Sequence, residues 1–270
     1  MNVLGFGGKL MKCGENQKQP SFGPFGAVLT ALEKHRVEYI VIGGQAVVAY
    51  GASQFTRDAD LWVNPTVRNL ARLQQALKDL KATLRFLPPL ELAYLKKGHG
   101  VHFRFEVQGR DFRIDILGRP PRVSDFSSAL KDTERVEWHG LNVPVLDIPR
   151  LVATKKTDRE RDYLVIQLLG EMVFEEVKKK KTLRKAAMTW LAGESRNPEH
   201  LLTIVRTWEG GQKALLESKR PAAILAARGA TPAEIQEALD EEKERLKEEN
   251  RTYWRPLISE LRQLRRQQNH

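Results

Sequence analysis

Cysteine is almost missing from this chain: Cys13 is the single thiol in 270 residues. That excludes an internal disulfide and fits a reducing, cytoplasmic setting. Long apolar runs are missing too. No stretch approaches the length of a membrane span, and the N-terminus lacks a signal-peptide core, so no membrane partner is expected. Aromatic residues make up only 7%, and the five tryptophans, Trp62, Trp138, Trp190, Trp208 and Trp254, are dispersed. Dispersal suits core packing better than a base-stacking platform. The six histidines show no metal-site spacing. His99 and His102, three apart at a strand start, are expected on opposite faces. There is no internal repeat and no Ser-His-Asp order. Gly5 to Lys9 lacks both the spacing of a P-loop and a preceding strand.

Positive charge is what the chain has in excess. The formal charge is +11 and the pI about 9.8. Lys and Arg outnumber Asp and Glu by 6 in residues 1–150 and by 5 in 151–270, so the excess is spread along the chain. Such a balance points to an anionic partner, nucleic acid foremost, with general solubility as the plainer account. The densest basic cluster is Lys178, Lys179, Lys180, Lys181, Arg184 and Lys185. A run of this kind is usually a solvated surface, and it can also grip a phosphate backbone.

The length accommodates one large domain or two modest ones. Residues 1–23, with scattered glycine and charge and no sustained period, are expected to form a flexible arm. Residues 24–149 read as a small α/β core, a mixed β-sheet with flanking helices, and 150–270 as a mainly helical C-terminal region. Phe25, Val28, Leu29 and Leu32 keep helical spacing ahead of the strand at Tyr39. Asn64-Pro65 predicts a helix start, with Asn64 as the cap. Val101 to Val107 and Phe112 to Leu117 alternate as strands about a Gln108-Gly109 turn. Pro149 predicts the opening of one long helix, Arg150 to about Val177. Thr231-Pro232-Ala233-Glu234 is a capping box, and Pro256 is expected to interrupt before a last helix.

The most informative stretch is Tyr39 to Val63. An apolar strand, Tyr39 to Ile42, breaks at Gly43-Gly44 into a small helical segment. A polar loop then leads to a second strand bearing Asp58 and Asp60. Residues two apart on a strand share a face, so the two carboxylates project side by side. Adjacent carboxylates repel unless a cation or a shared proton holds them. Mg²⁺ is the usual occupant, since it binds one or two carboxylates plus phosphate oxygens. Glycines let a ligand approach the backbone closely, and a helix start offers free N–H groups to an anion. The combination predicts a nucleotide with a divalent metal. Later in the chain Asp115 stands between Ile114 and Ile116, where a carboxylate is costly unless paired or liganded. Asp111, beside the turn, and Glu106, on the facing strand, are its rivals.

These residues resemble the polymerase-β-like nucleotidyltransferase superfamily, whose pattern is strand, Gly-Gly, short helix, then Asp-x-Asp on the next strand. Tyr50-Gly51 and Thr56-Arg57-Asp58-Ala59-Asp60-Leu61 are similar to its toxin-type branch, the AbiEii-like abortive-infection proteins. Gln54 and Phe55 stand where that branch often carries an arginine. The resemblance implies a metal-dependent transfer of NMP from an NTP to an acceptor hydroxyl, with Mg²⁺ or Mn²⁺ held by Asp58, Asp60 and Asp115. Gly43 and Gly44 would cradle the triphosphate. Lys155, Arg159 and Asp162 resemble a basic helix of the same branch, with Arg161 replacing its usual lysine, which makes Lys155 and Arg159 triphosphate contacts. Relatives in that branch modify RNA, notably tRNA, or proteins; the positive balance favours RNA as the acceptor, and the resemblance further implies a toxin neutralised by an antitoxin protein. A small-molecule or protein acceptor is the alternative, and a binding module without catalysis is another.

Overall fold

The computed structural model describes residues 23–53, 56, 58–107, 109–138, 140–180 and 184–268. The expected arm falls, but for Gly23, outside them, as do Gln54, Phe55, Arg57, Gln108 and Lys181. The chain forms two compact units. Of the described residues, one contains those up to Thr154 together with those from Trp254 on, and the other those from Lys155 to Tyr253.

The first unit is built on a seven-stranded mixed sheet: β1 Tyr39–Ile42, β2 Asp58–Val63, β3 Thr83–Leu84, β4 Gly100–Val107, β5 Arg110–Leu117, β6 Glu134–Trp138 and β7 Leu141–Val145. The strand order is β3-β4-β5-β2-β1-β7-β6. β2 runs parallel to β5, and β1 parallel to β7; the other neighbours are antiparallel. Its helices are α1 Pro24–Lys34, α2 Gly43–Ala49, α3 Val67–Asp79, α4 Leu92–Lys97, α5 Phe126–Lys131 and α6 Ile148–Thr154. The second unit holds α7 Glu160–Lys179, α8 Arg184–Glu194, α9 Pro198–Thr207, α10 Gly211–Glu217 and α11 Pro221–Ala227. α12, Pro232–Gln268, contributes to both units. No described helix is long and apolar enough to cross a membrane.

Period two makes the two faces of the central strands unlike. Ala59, Leu61 and Val63 of β2 point to one face with Ile114 and Ile116 of β5, and all five are buried. Tyr39 shares that face as the register partner of Val63, and its hydroxyl donates to Glu33 of α1, so α1 closes this side. Buried Val28, Leu29 and Leu32 supply the apolar surface of α1. The opposite face carries Asp58, Asp60 and Trp62 of β2 beside Arg113, Asp115 and Leu117 of β5. Here Trp62 is anchored by donating its indole N–H to the Gly118 carbonyl at 3.0 Å, with Phe126 edge-on to the ring.

Three expected boundaries move. The cap of α3 is Thr66, whose hydroxyl accepts from the Asn69 N–H, while the Asn69 amide donates to the Asn64 carbonyl. The single helix expected from Arg150 is two helices, α6 and α7. Between them Thr157 Oγ1 accepts from the Arg159 N–H and donates to Asp162 Oδ2, a local side-chain alternative to the helical ladder. Pro256 lies inside α12 and does not end it. The helix continues because Trp254, Leu257 and Leu261 line a cavity of the sheet unit and Glu260 is ion-paired there, contacts that outweigh the lost backbone bond. The capping box at Thr231 is formed: Thr231 N–H donates to Glu234 Oε2, and Glu234 N–H to Thr231 Oγ1.

Candidate active site

The β1–α2 turn is shaped around a carboxylate of its own chain. Gly43 adopts φ +60°, and a Cβ there would lie 2.0 Å from Asp60 Oδ2. A Cβ on Gly44 would come within 2.6 Å of Thr56 Oγ1. The space the glycines leave is therefore taken by Asp60 and Thr56. Gly44 N–H donates to Asp60 Oδ2 at 2.9 Å. Two residues earlier on the same face, Asp58 accepts from Thr56 Oγ1 at 2.6 Å and from Arg113 at 3.3 Å. The Arg113 guanidinium is about half exposed, so this ion pair is screened and exchangeable.

Asp115 reaches the same face through sheet register. It is the partner of Asp60 across the parallel β2–β5 pair, and of His102 across the β4–β5 hairpin. His102 Nδ1 and Asp115 Oδ1 share a hydrogen bond of 2.8 Å. Asp60, Asp115, His99 and His102 line one cavity of about 190 Å³. Its remaining lining is Gly100 and Leu117 from the sheet and Trp254, Leu257, Ile258 and Leu261 from α12. The rivals of Asp115 lie elsewhere: Asp111 and Glu106 face each other in register and are exposed.

The expectation that His99 and His102 lie on opposite faces is corrected. β4 begins at Gly100, so His99 precedes the strand and the period-two rule does not reach it. Its ring is 1% exposed and bonds Glu260 Oε2 at 2.9 Å. Lys97 binds the other oxygen of Glu260. Hydrogen bonds from Lys97 first, then His99, hold the Glu260 carboxyl below the usual glutamate range. This cluster fastens the end of α12 to the wall of the cavity.

Among the described residues, no group of three or more His, Cys, Asp or Glu side chains is arranged to hold a metal by itself. Asp60 and Asp115 open as a pair on one cavity. Mg²⁺ asks for one or two carboxylates and completes its shell with water and phosphate oxygens. The pair thus fits a cation that arrives with a phosphate chain and does not form a closed protein cage.

The other predicted residues lie in the helical unit. Lys155 and Arg159 sit in the break between α6 and α7, and both point to Asp162, Lys155 Nζ at 3.2 Å and Arg159 Nε at 3.0 Å. The Asp162 carboxylate is 4% exposed, so the two cations stabilise a buried charge. Lys178, Lys179 and Lys180 are exposed at the end of α7, with Lys178 near Glu175 and Lys180 on Glu176. Lys185 is exposed at the start of α8, which Arg184 opens; Lys181 falls outside the described residues.

Sequence reasoning missed His102, Arg113 and Trp254. The signal for the first was present: a hairpin turning at Gln108-Gly109 sets His102 opposite Asp115. Trp254 carried none, since it lies 139 residues beyond Asp115 in the chain.

No protein-family model matches the sequence, and no curated protein matches it. Among solved structures, a Thermotoga maritima protein described as a "putative nucleotidyltransferase" is similar at 18% identity and a TM-score of 0.31. The likeness covers 58% of this chain and 86% of that one. At that score it carries no argument, and the site rests on its own geometry.

Proposed function

We propose that this chain is a nucleotidyltransferase that moves a nucleoside monophosphate from an NTP to an acceptor hydroxyl. The observation that carries the reading is the opening of Asp60 and Asp115, register partners on parallel strands, onto one cavity next to Asp58. In the reaction the acceptor oxygen bonds to the α-phosphorus, the α–β anhydride bond breaks, and pyrophosphate leaves with its electron pair. The Asp115 carboxylate takes the hydroxyl proton, and His102 fixes its orientation through the 2.8 Å hydrogen bond. Gly44 N–H and Thr56 hold Asp60 and Asp58 in place, so little reorganisation is needed when the nucleotide binds. Asp58, Asp60 and Asp115 would hold Mg²⁺ or Mn²⁺, which when bound neutralises phosphate charge. Gly43 and Gly44 border the triphosphate in this reading, and the sequence resemblance offers Lys155 and Arg159 as further phosphate contacts. Unchanged NTP dependence in Lys155→Ala and Arg159→Ala would leave anchoring of Asp162 as the role of both.

RNA is the acceptor favoured by the +11 charge and the exposed Lys178–Lys180 run. A small-molecule acceptor is favoured by a different observation: among the described residues, no lysine or arginine lines the cavity at Asp60 and Asp115. A toxin role with an antitoxin partner rests on the sequence resemblance alone. Transfer from α-labelled NTP to total tRNA and to a panel of small hydroxyl acceptors tests the function. Wild type should label one of them and Asp58→Ala neither; equal labelling by both proteins ends the reading.

A further inference from the structure

Helix α7 buries Tyr163, Ile166, Leu169, Val173, Phe174 and Val177 within the helical unit. Its outer face is not uniformly polar. Leu164, Leu168 and Met172 leave 63%, 49% and 36% of their surface exposed. Spaced four apart, they fall on one stripe. A single exposed leucine needs no explanation, but large apolar side chains aligned on one solvent-facing stripe mark an interaction surface. Exposed Arg161 closes the stripe at one end and exposed Glu175 at the other. At 3.6 residues per turn, these five residues occupy roughly 80° of the helix circumference.

We propose that this stripe pairs with the same stripe of a second copy of the chain, antiparallel, about a two-fold axis at Leu168. An isologous contact must be self-complementary. With the axis at Leu168, Leu164 meets Met172, Leu168 meets its own copy, and Arg161 meets Glu175 at both ends. Parallel pairing would set Arg161 against Arg161 and Glu175 against Glu175, so the charge pattern selects the antiparallel copy. Glu160 and Glu176, which flank the stripe and approach each other in this register, are already paired within their own chain. Lys243 and Lys247 hold the first, and Lys180 the second. Glu175 has Lys178 at 3.6 Å, a loose exposed contact that a guanidinium from the partner copy can share. Three apolar residues per copy make a small interface, so the dimer exchanges with monomer.

Sedimentation equilibrium across the micromolar range tests this. Wild type should show a concentration-dependent monomer–dimer equilibrium, and Leu168→Glu should remain monomeric. Arg161→Glu should raise the dissociation constant about tenfold, and the double variant Arg161→Glu/Glu175→Arg should restore it. All three substituted positions, Arg161, Leu168 and Glu175, are solvent-facing, so circular dichroism should report unchanged helix. A wild type that stays monomeric throughout overturns the proposal. So does a dimer that Leu168→Glu leaves intact, or a charge swap that fails to restore what the single reversal weakened.

Discussion

Asp60 and Glu242 are both carboxylates held in place by their neighbours, and the neighbours give them opposite roles. Glu242, in the helical unit, is clasped at both oxygens, by Arg196 at 3.2 Å and by Arg220 at 2.7 Å, and all three side chains are under a tenth exposed. Arg220 also donates to the Ser195 carbonyl at 2.7 Å. These buried charges neutralise one another and solve a packing problem between helices. Asp60, in the sheet unit, takes a backbone N–H from Gly44, faces Asp115 across the ladder and lines a cavity. A carboxylate fixed by an amide and open to a cavity can still accept a cation. Burial of charge therefore marks structure in one unit, and partial exposure of charge marks the site in the other.

The comparison breaks most visibly at Glu242. Glu242→Ala leaves Arg196 and Arg220 buried without their counter-charge, a loss of about 3–5 kcal/mol. Chemical denaturation should show it as a large fall in the midpoint. Asp60→Asn, by contrast, should move the midpoint little. A similar fall in both would remove the distinction between the two kinds of carboxylate.

Gly43→Ala sharpens the argument for the turn. The added Cβ would meet Asp60 Oδ2, and φ +60° costs a non-glycine residue about 1–2 kcal/mol. We expect that modest loss of stability together with a loss of transfer activity on the order of 100-fold, because Asp60 must move. Wild-type rates in a folded Gly43→Ala protein would show that the position of Asp60 does not matter.

The smallest effect concerns the end of α12. Glu260 is held below the usual glutamate value of 4.5 by Lys97 and His99. A lowered folded value means that the contribution to stability is complete above 4.5 and is lost as the pH falls through the lower folded value. Acidification below 4.5 should therefore loosen Trp254, which lines the cavity beside the same helix end. Tryptophan emission should show an acid step in wild type that is missing in Glu260→Gln. An identical step in both proteins would place the acid-sensitive group elsewhere.

Much of the sheet unit was legible because its signals are local. Period two set Asp58 and Asp60 side by side and distinguished Asp115 from its apolar neighbours, and Gly-Gly marked the strand-to-helix turn. The mixed sheet with flanking helices, followed by a mainly helical region, was legible from the same periodicities. What was not legible depends on partners distant in sequence or on side chains competing with the backbone. The break between α6 and α7 depends on Asp162 collecting Lys155, Thr157 and Arg159. The continuity of α12 through Pro256 depends on a cavity built from strands more than a hundred residues earlier. His102 needed the hairpin register in addition to the strand pattern. No helical period reveals these.

The central claim is that Asp60 and Asp115 form a place for a divalent cation shared with a nucleotide. Titration calorimetry of a non-hydrolysable NTP, with and without Mg²⁺, tests it most directly in wild type, Asp60→Asn and Asp115→Asn. The account predicts that Mg²⁺ tightens binding at least tenfold in wild type and that neither variant gains from the ion. Equal affinity with and without Mg²⁺ in wild type, or full metal dependence in both variants, would contradict it.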